Sequence, residues 1–166
     1  MKNAGKKKQS MNNLPKVTIY SDGSCSKNPG PGGWAAFLLF EDGTTSTISG
    51  HEIDTTNNRM EMRGLLEALD LIMCESAQID FYSDSEYLCN GISYWLTTWT
   101  ENDWITSSGT PVKNKDLWMH LNEHLVIHEI KCHWTRGHSG DYWNEKADKI
   151  AKEMCEIAKK EANEDF

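Results

Sequence analysis

Long apolar runs are missing from this chain of 166 residues. The longest, Trp34 to Phe40, is far too short to cross a bilayer. A hydrophobic content of 38% supports one domain core and excludes a membrane protein, so no membrane partner is expected. The first residues are polar and lysine-bearing with no apolar segment behind them, which predicts no secretory leader. Paired cysteine motifs are missing too. Cys25, Cys74, Cys89, Cys132 and Cys155 are odd in number, scattered, and never in C-x-x-C spacing. That pattern fits free thiols in a reducing, cytoplasmic setting better than a disulfide frame or a zinc site. Basic charge is scarce where it would be wanted for gripping nucleic acid. The formal net charge is -8, and Lys2, Lys6, Lys7 and Lys8 lie in the first fifteen residues, which hold no acid. The remainder therefore carries 13 basic and 25 acidic residues, a net -12. Any phosphate binding has to rest on local patches, metal ions or the tail.

What is present reads as one domain over residues 16–160, behind a disordered basic tail (1–15) and ahead of an acidic end (161–166) that is expected to fray. The tail is either simply solvated or a weak phosphate contact. No internal repeat is visible. Alternating or apolar runs over 16–21, 34–40 and 45–53 predict an antiparallel meander. Met62, Leu65, Leu66, Leu69, Ile72 and Met73 recur at helical spacing in a helix that opens around Thr56 and ends near Cys74. A fourth strand over 78–83 leads into a helix from Tyr87 to Thr100 with a break near Gly91. A helix over 114–125, a fifth strand over 127–134 and a final helix from Asp141 complete the chain. Three strands followed by strands alternating with helices imply an α/β fold: a five-stranded mixed sheet, three antiparallel strands and then parallel ones, flanked by helices.

Four carboxylates stand at suggestive places. Asp22 follows the first strand, Asp84 follows the fourth, Glu61 is in the first turn of a helix, and Asp148 is inside the last helix. Each also has a plain structural explanation. Asp22 and Asn28 suit turn hydrogen bonds, with Gly23 letting another chain or a phosphate come close. Asn58-x-x-Glu61 fits a capping box, and Asp84 fits a helix N-cap. Asp148 suits an ordinary exposed helical acid.

Taken together, separated stretches match one pattern in order. These are Asp22-Gly23-Ser24, Asn28-Pro29-Gly30-Pro31-Gly32-Gly33-Trp34, Thr56-Asn57-Asn58-Arg59-Met60-Glu61 and Ser83-Asp84-Ser85. Pro111-Val112-Lys113-Asn114, Asp116-Leu117-Trp118, Trp134-Thr135-Arg136-Gly137-His138 and Asn144-Glu145-Lys146-Ala147-Asp148 continue it. The chain resembles ribonuclease H of type 1, the bacterial-like class, over nearly all of residues 16–158. The resemblance implies an endonuclease that hydrolyses the RNA strand of RNA–DNA hybrids with two Mg²⁺ ions (Mn²⁺ as a substitute), leaving 5′-phosphate and 3′-hydroxyl ends, and acting as a monomer. It implies that Asp22, Glu61, Asp84 and Asp148 bind the metals, with Asp22 shared between the ions, Asp148 on the water-activating one and Glu61 and Asp84 on the other. Physics makes this sensible: unit charges ~4 Å apart repel by ~4 kcal/mol at an effective dielectric near 20, so four carboxylates need cations. Oxygen-only ligands suit Mg²⁺ or Mn²⁺ and not zinc.

By the same resemblance, His138 assists proton transfer or product departure. Main-chain groups near Cys25, with Asn28 and Asn57, read the 2′-hydroxyl in the minor groove, and Thr56 seats a DNA-strand phosphate. Asn144 orients the water or the loop, or is a plain helix-start asparagine. Trp95 is assigned to packing, while Trp99 and Trp104 belong either to packing or to a substrate-handling protrusion. His51, His120, His124, His128 and His133 are read as ordinary histidines. Two features depart from the family pattern. Residues 97–110 hold Glu101 and Asp103 and no basic residue, where well-studied bacterial members carry several lysines. Glu86 replaces a residue that is often uncharged, and Ser83-x-x-Glu86 reads as a capping box. The rival functions are a DNA nuclease or resolvase on the same architecture and a catalytically idle hybrid-binding module. Binding alone would not require all four carboxylates.

Overall fold

The structure, a computed structural model, describes residues 14–72, 74–136 and 141–164. Five strands form one sheet: β1 (Lys16–Cys25), β2 (Gly30–Phe40), β3 (Thr45–Thr55), β4 (Gln78–Ser83) and β5 (Glu129–Trp134). Their order is β3-β2-β1-β4-β5. β1 pairs antiparallel with β2, and β2 with β3, while β1–β4 and β4–β5 are parallel. The mixed sheet is as expected from the strand and helix pattern. β1 and β2 run further than their apolar residues suggested. Backbone pairing continues from Asp22↔Ala35 to Cys25↔Gly32, through residues whose side chains carry no strand signal.

Helices lie on both faces. On one face, α1 (Asn57–Asp70) buries Met62, Leu65, Leu66 and Leu69 against Val17, Ile19, Leu38 and Ile79 of the sheet. The same core takes in α2 (Glu86–Asn90), α3 (Leu96–Glu101) and α4 (Lys115–Ile127) through Leu88, Leu96, Leu117, Trp118 and Leu121. On the other face, α5 (Tyr142–Glu164) buries the small residues Ala147, Ala151, Cys155 and Ala158. Its helical backbone is described through Glu164. The expected ends of α1 also shift, because it closes at Leu71, whose amide N–H bonds to the Ala68 carbonyl.

No break occurs at Gly91. α2 runs into a single wide π turn, Gly91–Trp95, and on into α3. The glycine is there for packing: a Cβ on Gly91 would overlap the Trp118 ring. The tryptophans gather around that ring, with Trp99 edge-on to Trp118 at 5.3 Å and Trp95 5.7 Å from Trp99.

One cysteine expectation is corrected. Cys89 on α2 and Cys132 on β5 are joined as a disulfide, with Cα atoms 5.7 Å apart, and Cys25, Cys74 and Cys155 are free. Their separation of 43 residues concealed the pairing, since only the packing of α2 on β5 brings the two together. Among the described residues no helix is long and apolar enough to cross a membrane.

Candidate active site

The carboxylates come together through topology. β1 and β4 are parallel neighbours in the register Tyr20↔Tyr82, so Asp22 and Asp84, each two residues further on, occupy equivalent places at one edge of the sheet. Pairing between the two strands stops before them, leaving a crevice beyond the strand ends where β1 has an antiparallel partner on one side and a parallel one on the other. Glu61 enters from α1, one turn into the helix. Gly23 is what admits it: a Cβ there would lie 2.5 Å from the Glu61 backbone nitrogen. The close approach expected of Gly23 is thus the approach of α1 itself.

The plain structural roles for Glu61 and Asp84 do not hold. α1 is capped by Thr56, whose Oγ1 accepts from the Arg59 N–H at 3.2 Å, so Asn58 is inside the helix and forms no box with Glu61. α2 is capped by Ser85, whose Oγ accepts from the Leu88 N–H at 3.1 Å. Ser83 instead accepts from the Ser85 N–H, which leaves Asp84 off the cap and makes Glu86 the first helical residue and not the third of a box. Capping is done by neutral neighbours. Both acids are thereby left for the crevice.

Asp22, Glu61 and Asp84 offer carboxylate oxygens that all lie within 4.8 Å of one another. Asp22 is 7% exposed and Glu61 4%, while Asp84 faces solvent. Burial, then the charge of Asp84, pushes the Asp22 carboxyl up to about 7, although the Gly23 N–H donates to its Oδ1 at 2.9 Å. Burial pushes Glu61 well above the usual carboxylate range, and the charges of Asp22 and Asp84 add to it. The two carboxyls also hydrogen-bond each other, so they share their protons as a pair. Glu61 Oε2 is buried with no hydrogen-bond partner. Asp148 reaches the group from α5, hydrogen-bonding Asp22, and pairs with Lys152 Nζ at 2.9 Å.

A buried, oxygen-only cluster of like charges with an orphaned acceptor fits a hard divalent cation. The cation beside it, Lys152, is 60% exposed and pairs with Asp148 at the cluster's rim.

Of the residues expected around this centre, Cys25, Asn28, Thr56 and Asn57 gather where the β1–β2 loop meets the start of α1. Cys25 Sγ donates to the Lys27 carbonyl at 2.6 Å and lies 3.6 Å from the Thr55 carbonyl. Asn28 Oδ1 accepts from the Asn57 N–H at 3.0 Å, which ties the β1–β2 loop to the start of α1 beside the Thr56 cap. Trp99 and Trp104 are half-buried and pack on the core, their rings 6.4 Å apart. Asn144 donates from Nδ2 to Thr135 Oγ1 at 3.0 Å, holding the start of α5 against the segment after β5. His138 lies outside the described residues. Missed in the sequence is the clamp on α1: Arg59 forks onto Asp116 at 2.8 and 3.0 Å and reaches Asn114 at 3.4 Å. Its signal was present, since Arg59 and Asp116 both sit in the matching stretches.

A family model for RNase H matches residues 15–156. The chain is 48% identical over 139 residues to the Ribonuclease H of Ehrlichia chaffeensis, covering 84% of this chain and 94% of that one. It is 48% identical over 143 residues to the Ribonuclease HI of Rickettsia prowazekii, covering 86% and 93%. Among solved structures it resembles LC9-RNase H1, described as a type 1 RNase H with the type 2 active-site motif, with a TM-score of 0.78 and 29% identity over 87% of this chain and 74% of that one.

Proposed function

The chain belongs to the RNase H family, and we propose that it is an endonuclease that hydrolyses the RNA strand of RNA–DNA hybrids with two Mg²⁺ ions, leaving 5′-phosphate and 3′-hydroxyl ends. The observation that carries this reading is the meeting of Asp22, Glu61 and Asp84 within 4.8 Å at the sheet edge, two of them buried. Asp22, Glu61, Asp84 and Asp148 would hold the divalent ions, whose chemistry would be charge stabilisation of the attacking and leaving oxygens of a phosphate displacement. That Asp22 would be shared between the ions is supported by its interactions with Glu61, Asp84 and Asp148 alike. Glu61 and Asp84 hold one side and Asp148 the other. Deprotonated Glu61 and Asp22 are the binding-competent forms, so the chain's part is to surrender a proton as it takes up cation.

Substrate choice belongs to the neighbouring group. Main-chain atoms around Cys25, together with Asn28 and Asn57, face the 2′-hydroxyl of the RNA strand, the one group that separates RNA from DNA. Thr56 seats a DNA-strand phosphate at the start of α1. Asn144 holds the start of α5, and with it Asp148, in register with β5. His138 assists proton transfer or product departure. Trp99 and Trp104 serve the substrate through the shape of the protrusion that they pack.

The test is a hybrid labelled separately on each strand, incubated with Mg²⁺ and with chelator. Cutting of the RNA strand alone, only with Mg²⁺, is expected. Equal cutting of an all-DNA duplex would make this a DNA nuclease, and tight binding without cutting would make it an idle binding module.

A further inference from the structure

A second polar cluster sits at the opposite end of α1. Asp70, nine residues beyond Glu61 and so about 13 Å further along the helix axis, is the last residue of α1. Facing it on α4 are His120 and His124, one turn apart on the same side of the helix. His124 Nε2 lies 2.7 Å and His120 Nε2 3.1 Å from the same oxygen, Asp70 Oδ1. The three ligand atoms all lie within 4.8 Å of one another.

We propose that Asp70, His120 and His124 form a site for a borderline divalent transition ion, Zn²⁺ in the first instance, that ties the end of α1 to α4. Histidines four apart on a helix, joined by a carboxylate from another element, are a donor set that favours Zn²⁺ over Mg²⁺. A tetrahedral ion with bonds of about 2.0–2.1 Å separates its ligand atoms by roughly 3.3 Å. The observed 2.7 and 3.1 Å spacings need to open by roughly 0.6 and 0.2 Å. Both imidazoles already present Nε2, so no ring flip is required.

The rings are pre-set by stacking. His120 lies 5.4 Å from His124, and His124 lies 5.9 Å from His128 at an interplanar angle of 15°. His128 is no ligand, because its Nδ1 accepts the Ala77 N–H at 3.0 Å and the side chain is buried. Access is open, with the side chains of His120, His124 and Asp70 35%, 15% and 42% exposed. Three protein ligands leave a fourth position for water or an incoming group.

This site is independent of the carboxylate cluster, and its test keeps the two apart. In the full-length protein under saturating Mg²⁺, one equivalent of Zn²⁺ is added and the histidine ring ¹⁵N resonances are followed. His120 and His124 should shift at Nε2 while His51 and His133 stay in place, and the melting temperature should rise, since folding is what brings the three ligands together. Asp70→Asn and His124→Gln should each weaken Zn²⁺ binding by at least about tenfold. Hybrid cleavage in Mg²⁺ alone should be unchanged in both variants. Unmoved His120 and His124 resonances in the wild type at one equivalent would overturn the proposal whatever the variants do. So would Zn²⁺ held as tightly by Asp70→Asn as by the wild type.

Discussion

One helix carries two polar clusters, and they differ in almost every physical respect. At the start of α1, Glu61 meets Asp22 and Asp84 in a crevice where two of the three are buried and all are acids. At its end, Asp70 meets two histidines that bond it directly, with all three open to water. The first cluster leaves Glu61 Oε2 without a partner, and burial pushes the Asp22 and Glu61 carboxyls upward. The second bonds itself through both Nε2 atoms, with His124 Nδ1 left buried and without a partner. Burial of like charge therefore creates a demand for a hard cation, whereas a more open set of one carboxylate and two imidazoles suits a softer one.

The sharpest way to break this contrast is to remove a charge from the first cluster. Asp84→Asn keeps size and polarity at a solvent-facing position and should leave the fold and its melting temperature nearly unchanged. Cleavage of hybrid should fall by roughly 100-fold or more, the scale for losing one charge-stabilising group at a reacting phosphate. Near wild-type turnover in the purified variant would remove Asp84 from the site.

The second test uses pH. An acid whose carboxyl is raised in the folded state holds its proton more tightly there than in the unfolded chain. Metal-free stability should therefore fall as pH rises from about 4, the usual aspartate value, to the value of about 7 for Asp22. The loss should be on the order of a few kcal/mol, be smaller in Asp22→Asn, where Glu61 is still raised by its own burial, and be offset in the wild type by Mg²⁺. Chemical denaturation across that window, in chelator and in Mg²⁺, gives the slopes. Parallel wild-type and Asp22→Asn lines would mean that burial does not strain Asp22.

Much of this was legible in the chain because the signals were local. The apolar stripe of Met62, Leu65, Leu66 and Leu69 marked α1, and the separated motifs placed Asp22, Glu61 and Asp84 in one site. What stayed hidden depends on packing between distant elements. Thr56 and Ser85 won the caps from equally plausible neighbours by one or two positions, which no spacing rule resolves. Gly91 looked like a helix break because the reason for it, the Trp118 ring, is 27 residues away. The Cys89–Cys132 pair and the meeting of Asp70 with His120 and His124 were invisible for the same reason.

Smaller effects should come from parts outside both clusters. The body carries net -12, and the concentrated positive charge outside it is Lys2, Lys6, Lys7 and Lys8. Deleting residues 1–13 should weaken hybrid binding at low salt and flatten the plot of log K against log salt, with the maximum rate unchanged. Binding measured in Ca²⁺ over a salt series checks this, and superimposable lines would make the tail a solvated end. Smallest should be Arg59→Ala. Its fork onto Asp116 holds that carboxyl below the usual range, but Asp116 is mostly exposed, so the loss should be about 0.5–1 kcal/mol by denaturant titration.

The central claim is that the buried carboxylates and the Cys25–Asn28–Asn57 group form one device that cuts only where a 2′-hydroxyl is present. It is tested most directly by a DNA strand carrying a short internal block of ribonucleotides, paired with DNA and cut in Mg²⁺. Every product should map to phosphodiester bonds within or beside the block, with none in the all-DNA flanks. Cuts spread evenly through the flanks would contradict it.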